Sequence, residues 1–352
     1  MTKNYQGLKY LSVLTIPATV MISLNATGAL TFITLIYVFG LVPLIELWFK
    51  PNDRNVSAAE AAIMQKDALY DWILYLIVPL QWFFVGYFLT RISTAGDTVT
   101  ILGRITALGI LCGVFGINVA HELGHRKEKV AQFLAKCLLL SSLYMHFFIE
   151  HNRGHHKKVS TSADPASARF GESVYRFWFR SIWYSYLSAW QLENSRLKKH
   201  GRSPWSLQNE MIWYQLLQAG LLVVIYVAFG LLVMLLFACA AFVGILLLET
   251  VNYIEHYGLS RTFKANGHFE RVQPHHSWNS NHMVGRLMLF ELSRHSDHHY
   301  KASKKYQVLL HHYDSPQMPT GYPGMMLLAL VPPAWFALMH PLISQVRTVV
   351  LP

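Results

Sequence analysis

Charge is scarce in this chain. Only 14% of its 352 residues are Asp, Glu, Lys or Arg, and 53% are hydrophobic, against roughly 25% charged residues in an average soluble domain. A disordered chain needs the opposite balance and is excluded. Cysteine is nearly absent. Cys112, Cys137 and Cys239 lie far apart in apolar runs, which excludes a C-x-x-C metal site, a four-cysteine iron centre and a disulfide framework. There is no G-x-G-x-x-G nucleotide fingerprint, no internal repeat and no low-complexity linker. Acidic residues are the minority charge, 19 against 30 Lys and Arg, giving a formal net charge of +11. No nucleic-acid motif accompanies that excess, and a polytopic membrane protein acquires one from its cytoplasmic loops alone.

What is abundant is long apolar runs. About 20 apolar residues span the roughly 30 Å hydrocarbon layer, and six runs approach that length: Tyr10 to Ala26, Leu30 to Phe49, Trp72 to Leu89, Ile101 to Ala120, Ile212 to Phe229 and Leu231 to Leu248. The links at Asn25 to Gly28 and at Gly230 are short enough only for helical hairpins. With the N-terminus inside, Arg91 and Arg104 are the basic residues left outside, so the positive-inside rule places both termini in the cytoplasm. The expectation is an all-α polytopic membrane protein, one domain over residues 1 to 352, with six transmembrane helices and a cytoplasmic helical cap formed by segments 126–210 and 257–352. The run Gln132 to Ile149 is expected to stay on the cytoplasmic side, because crossing would put the histidines before and after it on opposite leaflets.

The 18 histidines are the second abundance, and most are clustered. His121-Glu122-Leu123-Gly124-His125 ends the fourth span with i, i+4 spacing, which puts both rings on one helical face. Alone, it reads as the H-E-x-x-H motif of a zinc protease with Glu122 as general base. Glu150-His151-Asn152-Arg153-Gly154-His155-His156 and Arg294-His295-Ser296-Asp297-His298-His299 add three imidazoles each, again with an i, i+4 couple expected on one helical face, and His256 follows the sixth span. Nine imidazoles exceed the three or four that one zinc takes and point to two metals. A metal transporter or sensor is the non-catalytic rival, but it exposes exchangeable sites along a pathway instead of saturating two ions. Glu122, Glu150, Glu249, Glu255, Glu291 and Asp297 interleave with the clusters. Their expected role is to accept the second ring N–H of a ligand and so fix its orientation. His146, His200, His268 and His340 read as structural or exposed. His275-His276, His282 and His311-His312 are not assigned by spacing.

Those motifs, with Asn252-Tyr253-Ile254-Glu255-His256-Tyr257-Gly258, Gln273 to His282 and Pro319 to Gly324, resemble the histidine boxes and His-Tyr-Gly signature of the integral-membrane alkane monooxygenases. The His-Tyr-Gly segment favours these over the related membrane desaturases and hydroxylases. The resemblance implies a bacterial inner-membrane enzyme that uses O2 at two non-haem iron ions to convert the terminal methyl group of medium to long-chain alkanes into primary alcohols. It implies electrons from rubredoxin, served by an NAD(P)H-dependent reductase, and no nucleic-acid partner. Carried over motif by motif, the ligands are His121, His125, His151, His155, His156, His256, His295, His298 and His299. Leu292-Ser293-Arg294 and Tyr300 depart from the family's more frequent residues around the third box.

Hydroxylating an unactivated C–H bond exceeds the reach of any side chain, so metal and O2 carry the chemistry and the protein supplies orientation and dryness. A linear alkane partitions into the bilayer. An apolar channel between helices is expected to lead its end to the metals, with Trp48, Trp82, Phe83, Phe115 and Met145 as lining candidates. Arg126, Lys127, Lys157, Lys158, Lys198, Lys199, Lys304 and Lys305 surround the boxes in sequence and are candidates for steering a small acidic electron donor.

Overall fold

The computed structural model describes residues Tyr5–Val350, all of it helix, turn and loop, with no named strand among the described residues. Among the described residues, six helices are long and apolar enough to cross a membrane: Gln6–Asn25, Gly28–Trp48, Ala68–Ile92, Thr98–Gly124, Glu210–Phe229 and Leu231–His256. They coincide with the six runs expected from the sequence. The ambiguous stretch after the first histidine box does not form a seventh. It breaks into Lys129–Ser141 and Phe147–Ile149 around Leu143, a non-glycine residue at φ 52°. The apolar stretch near the C-terminus bends by 120° between Tyr322–Ala329 and Pro332–Val346, where Pro332-Pro333 removes two N–H donors.

The chain packs as two compact units. The first comprises Met1–Gly40, Asp67–Asn152 and Tyr186–Leu248, the second Leu41–Lys66, Arg153–Ser185 and Glu249–Pro352. Small residues draw the helices of the first unit together. A Cβ at Gly244 would lie 2.7 Å from Cys112 Cβ and 3.0 Å from the Gly109 carbonyl, and one at Gly109 would lie 2.5 Å from Val243. Gly109 and Gly113 form a G-x-x-x-G stripe on the fourth span, the spacing that lets helix backbones touch where lipid offers no hydrophobic driving force. Gly103 likewise admits Thr31 of the second span.

Side chains cap some of the helix ends in this unit. Asp67 accepts from Leu69 N and Asp97 from Thr100 N, both at 2.9 Å. The buried Arg104 guanidinium donates to the carbonyls of Ala26 and Arg91 at the C-terminal ends of two spans, where acceptors lack intrahelical partners and a cation is favourable.

The second unit is held by polar contacts. Glu46 accepts from Gly285 N at 2.7 Å and fills a notch that exists because Gly321 has no side chain; a Cβ there would lie 1.9 Å from Glu46 Oε2. Arg294 donates to Leu309 O at 2.7 Å and Arg54 O at 2.9 Å, fixing the start of the short buried helix His295–Tyr300.

Candidate metal centre

In the first unit, the fourth span ends in Val119–Gly124 and delivers His121 and His125. Their ring centroids are 4.9 Å apart, and His151 joins them at 4.4 and 5.1 Å. The Nε2 atoms of His151 and His125 are 3.1 Å apart. Phe147 stacks on His151 at 4.8 Å, so an aromatic wall holds the third ring. Glu122 accepts from Arg126 at 2.7 Å, and Arg126 also lies 3.4 Å from Asp71. Glu122 is thus engaged in an ion pair and not free to act as a general base on a metal-bound water, which weighs against the protease reading.

The second histidine box departs from the helical spacing expected. Glu150–His155 winds as a π-helix, with more residues per turn than an α-helix. Residues i and i+4 therefore no longer share a face: His151 meets His125, whereas His155 meets His299.

The second unit contains a complete donor set. The ring nitrogens of His155, His256, His295 and His299 all lie within 4.8 Å of one another, and all four residues are buried. Nε2 of His155 is 3.2 Å from that of His299, and Nε2 of His295 is 3.1 Å from that of His256. Imidazole nitrogens converging at this distance share either a ring N–H or a cation, and an all-imidazole set suits a divalent transition metal. His295 and His299 keep the i, i+4 relation because His295–Tyr300 is a true α-helix. His298, on its other side, lies 3.1 Å (Nε2 to Nε2) from His156. Burial pushes His298 down to about 3 and, with the neighbouring imidazoles, holds His299 well below its ordinary value. The rings are thus neutral at physiological pH, the form that ligates.

Two carboxylates complete this site in different ways. Asp164 Oδ2 lies 2.9 Å from His155 Nδ1 and also accepts from Ser167 Oγ. Burial pushes its carboxyl up, but the imidazole and hydroxyl outweigh this and hold it below the usual range. His155 therefore carries its proton on Nδ1 and presents the Nε2 lone pair inward. Sequence reasoning missed Asp164, which lies outside every box. Glu255, expected behind a ligand, instead faces the ligating side: Oε2 is 3.2 Å from His295 Nε2, and Oε1 accepts from Tyr322 OH at 2.8 Å.

The other expected orienting carboxylates have their own partners. Asp297 is a correction: it accepts from Lys304 Nζ at 2.7 and 2.8 Å, His312 Nε2 at 2.8 Å and Leu310 N at 2.9 Å, pinning the following loop onto the third box. Glu291 pairs with Arg286 at 2.7 Å. Glu150 is buried and receives Ser188 Oγ at 3.4 Å. Glu249 receives Asn252 Nδ2 at 3.4 Å.

Several remaining histidines have structural duties. His276 Nδ1 accepts from Gln273 N at 2.9 Å, so its proton sits on Nε2, 3.2 Å from Glu270. That hydrogen-bonded cap explains why Glu270, His275 and His276 cluster. His311 pairs with Asn281 at 2.9 Å and His340 with Tyr257 at 2.9 Å. His146 is buried between the rings of Tyr144 and Tyr186. His200 and His268 are exposed.

Of the channel candidates, Phe115 and Met145 are buried, and Trp82 is half-buried. Trp48 and Phe83 are 86% and 51% exposed and so cannot line a passage between helices. Among the docking candidates, Arg126 is buried in its ion pairs and Lys304 is committed to Asp297. Lys127, Lys157, Lys198 and Lys199 are exposed, while Lys158 and Lys305 are partly so.

A model of the fatty acid desaturase family matches residues 98–329, which include all four histidine-bearing stretches. Alkane 1-monooxygenase 1 of Pseudomonas aeruginosa is 43% identical over 319 residues, covering 88% of this chain and 82% of the relative. Alkane 1-monooxygenase 1 of Alcanivorax borkumensis is 41% identical, covering 86% and 75%. The chain belongs to the alkane 1-monooxygenases. It is an oxidoreductase, a multi-pass membrane enzyme that hydroxylates alkanes. The hydroxylase component of a xylene/toluene monooxygenase from Pseudomonas putida is more distant, 28% identical over 76% of this chain and 72% of its own length.

Proposed function

We propose that this alkane 1-monooxygenase inserts one oxygen atom of O2 into the terminal methyl group of medium to long-chain alkanes, releasing the primary alcohol and water. The observation that carries this reading is the set of four buried imidazoles with convergent ring nitrogens in a chain of six apolar spans. Two iron ions held by the nine box histidines, His121, His125, His151, His155, His156, His256, His295, His298 and His299, would supply the O2 activation that side chains lack. The donor chemistry fits: neutral imidazoles, one oriented by Asp164, with Glu255 as the oxygen donor on the ligating side.

The protein's share is binding, orientation and dryness. Alkane enters from the bilayer, and Phe115, Met145 and Trp82 remain the lining candidates. Terminal selectivity follows from geometry, because a narrow apolar passage presents the chain end and shields the weaker interior C–H bonds. Each turnover also consumes two electrons and two protons. The chain has no redox-active cysteine set of its own, and rubredoxin with an NAD(P)H-dependent reductase is proposed as the source. The distribution of Lys and Arg among the links supports an inner-membrane orientation with the histidine boxes facing the cytoplasm.

The test is turnover of purified protein in lipid nanodiscs with n-octane or n-hexadecane, O2, NADH, reductase and rubredoxin. The expected product is the 1-alkanol carrying one 18O atom from 18O2. Internal alcohols, or label drawn from water, contradict the reading.

A further inference from the structure

The second unit carries a basic projection that the metal chemistry does not use. Residues Arg261 to Arg271 fold back on themselves: Lys264 N donates to His268 O at 2.9 Å, Glu270 N to Thr262 O at 3.0 Å, and Gly267 makes the turn at φ 80°. Phe263 packs edge-on against Phe269 at 5.1 Å yet is 62% exposed. The root is bonded to the second histidine box. Arg261 N donates to Ser160 O at 2.8 Å, and Arg261 Nη1 donates to the carbonyls of Lys157 and Val159 at 3.0 and 3.4 Å. His156 is only partly buried and immediately precedes Lys157. The projection thus stands on the same turn of chain as a box histidine that reaches toward the surface.

Its charge is one-sided. Lys157, Lys158, Arg261, Lys264 and Arg271 meet a single acid, Glu270, which is already engaged by Thr262 N at 2.8 Å and by His276. Among the described residues, no carboxylate lies within ion-pair distance of Lys157, Lys158, Lys264 or Arg271. An exposed aromatic ring on a segment that carries uncompensated cations is the make-up of a protein-docking surface: the ring anchors and the charges steer.

We propose that the Arg261 to Arg271 projection, with Lys157 and Lys158, is the docking face for a small acidic electron-carrying protein, placing its redox group next to the His156 turn. This rests on the monooxygenase reading, which requires electrons from outside the chain. A lipid surface is the competing occupant of a basic patch. The polar tip of Thr262, Asn266, Gly267 and His268, with one exposed aromatic ring, favours a protein.

The experiment uses the full chain in nanodiscs, with rubredoxin as the probe, comparing wild type with the double variant Lys264→Glu/Arg271→Glu and with Phe263→Ala. The double variant should raise the KM for rubredoxin at least tenfold and flatten its salt dependence, while kcat at saturating donor, metal content and anaerobic reduction by dithionite stay unchanged. Phe263→Ala should raise KM less and leave the salt slope intact. An unchanged KM in the double variant overturns the proposal. So does an effect present in anionic nanodiscs and absent in zwitterionic ones, which assigns the patch to lipid. Rubredoxin binding is measured without turnover as well. Binding that the double variant abolishes supports the surface even if alkane oxidation fails; no binding to wild type overturns it.

Discussion

The three imidazoles of the first unit and the four of the second are held by different physics. His121, His125 and His151 are borne by helices packed through small residues, with Phe147 stacked on the third ring and Glu122 neutralised by Arg126. His155, His256, His295 and His299 sit among hydrogen-bonded carboxylates: Asp164 behind one ring, Glu255 in front of another and steadied by Tyr322. Packing fixes where a ring lies. A carboxylate on the second ring nitrogen also fixes its tautomer and raises its basicity. The second unit therefore carries most of the electronic tuning, and the first depends on shape.

The largest test of that contrast is His299→Ala, which removes a ligand from the four-membered set. One metal per chain should be lost and alkane turnover should fall below detection, read by elemental analysis and product chromatography. Retention of full metal content would show that the set is not a site. Next comes Asp164→Asn, which keeps size but loses the charge that orients His155. Metal affinity or turnover should fall about 10- to 100-fold, while thermal stability with metal absent changes little. An equal loss in Phe147→Leu would erase the distinction between the units.

A pH titration probes both units together. Burial pushes His146 of the first unit and His276 of the second down to about 4, below the ordinary value near 6.5. For a histidine whose pKa is depressed on folding, the unfolded chain takes up the proton first. Stability is thus fully present above about pH 6.5 and is lost as pH falls toward 4, by about 3 kcal/mol for each group at the limit. Metal-free protein should show Tm falling across that window in wild type and less in His146→Gln. A flat Tm profile would mean these rings are protonated where they lie.

Gly244→Val should cost about 1–3 kcal/mol through overpacking against Cys112 and Gly109, read as a lower Tm in detergent, with the metal content of the second unit retained. The smallest effect is expected for Tyr322→Phe, which removes one hydrogen bond from Glu255 and costs about 1 kcal/mol.

The six spans were legible because run length alone encodes them, and the histidine boxes because imidazole is conspicuous and tightly spaced. What spacing misread was the second box: an α-helical count puts His151 and His155 on one face, and the π turn at Glu150–His155 separates them. Asp164 was hidden for another reason. It reaches His155 from nine positions along the chain, and no periodicity connects the two. The Glu255 to Tyr322 bond joins positions 67 residues apart, a link only the fold reveals. The Gly109-x-x-x-Gly113 stripe was visible in the sequence as a known helix-contact spacing and could have placed the fourth span in the bundle. Trp48 and Phe83 were misjudged because an aromatic residue on an apolar span serves lipid contact as well as a lining.

Whether box histidines hold two irons for O2 chemistry is decided by metal quantification of the purified enzyme, paired with Mössbauer spectroscopy of 57Fe-enriched protein. Two irons per chain with nitrogen-rich ligation are expected, falling to one in His299→Ala. A single zinc per chain, unaffected by that substitution, would rule out the di-iron centre.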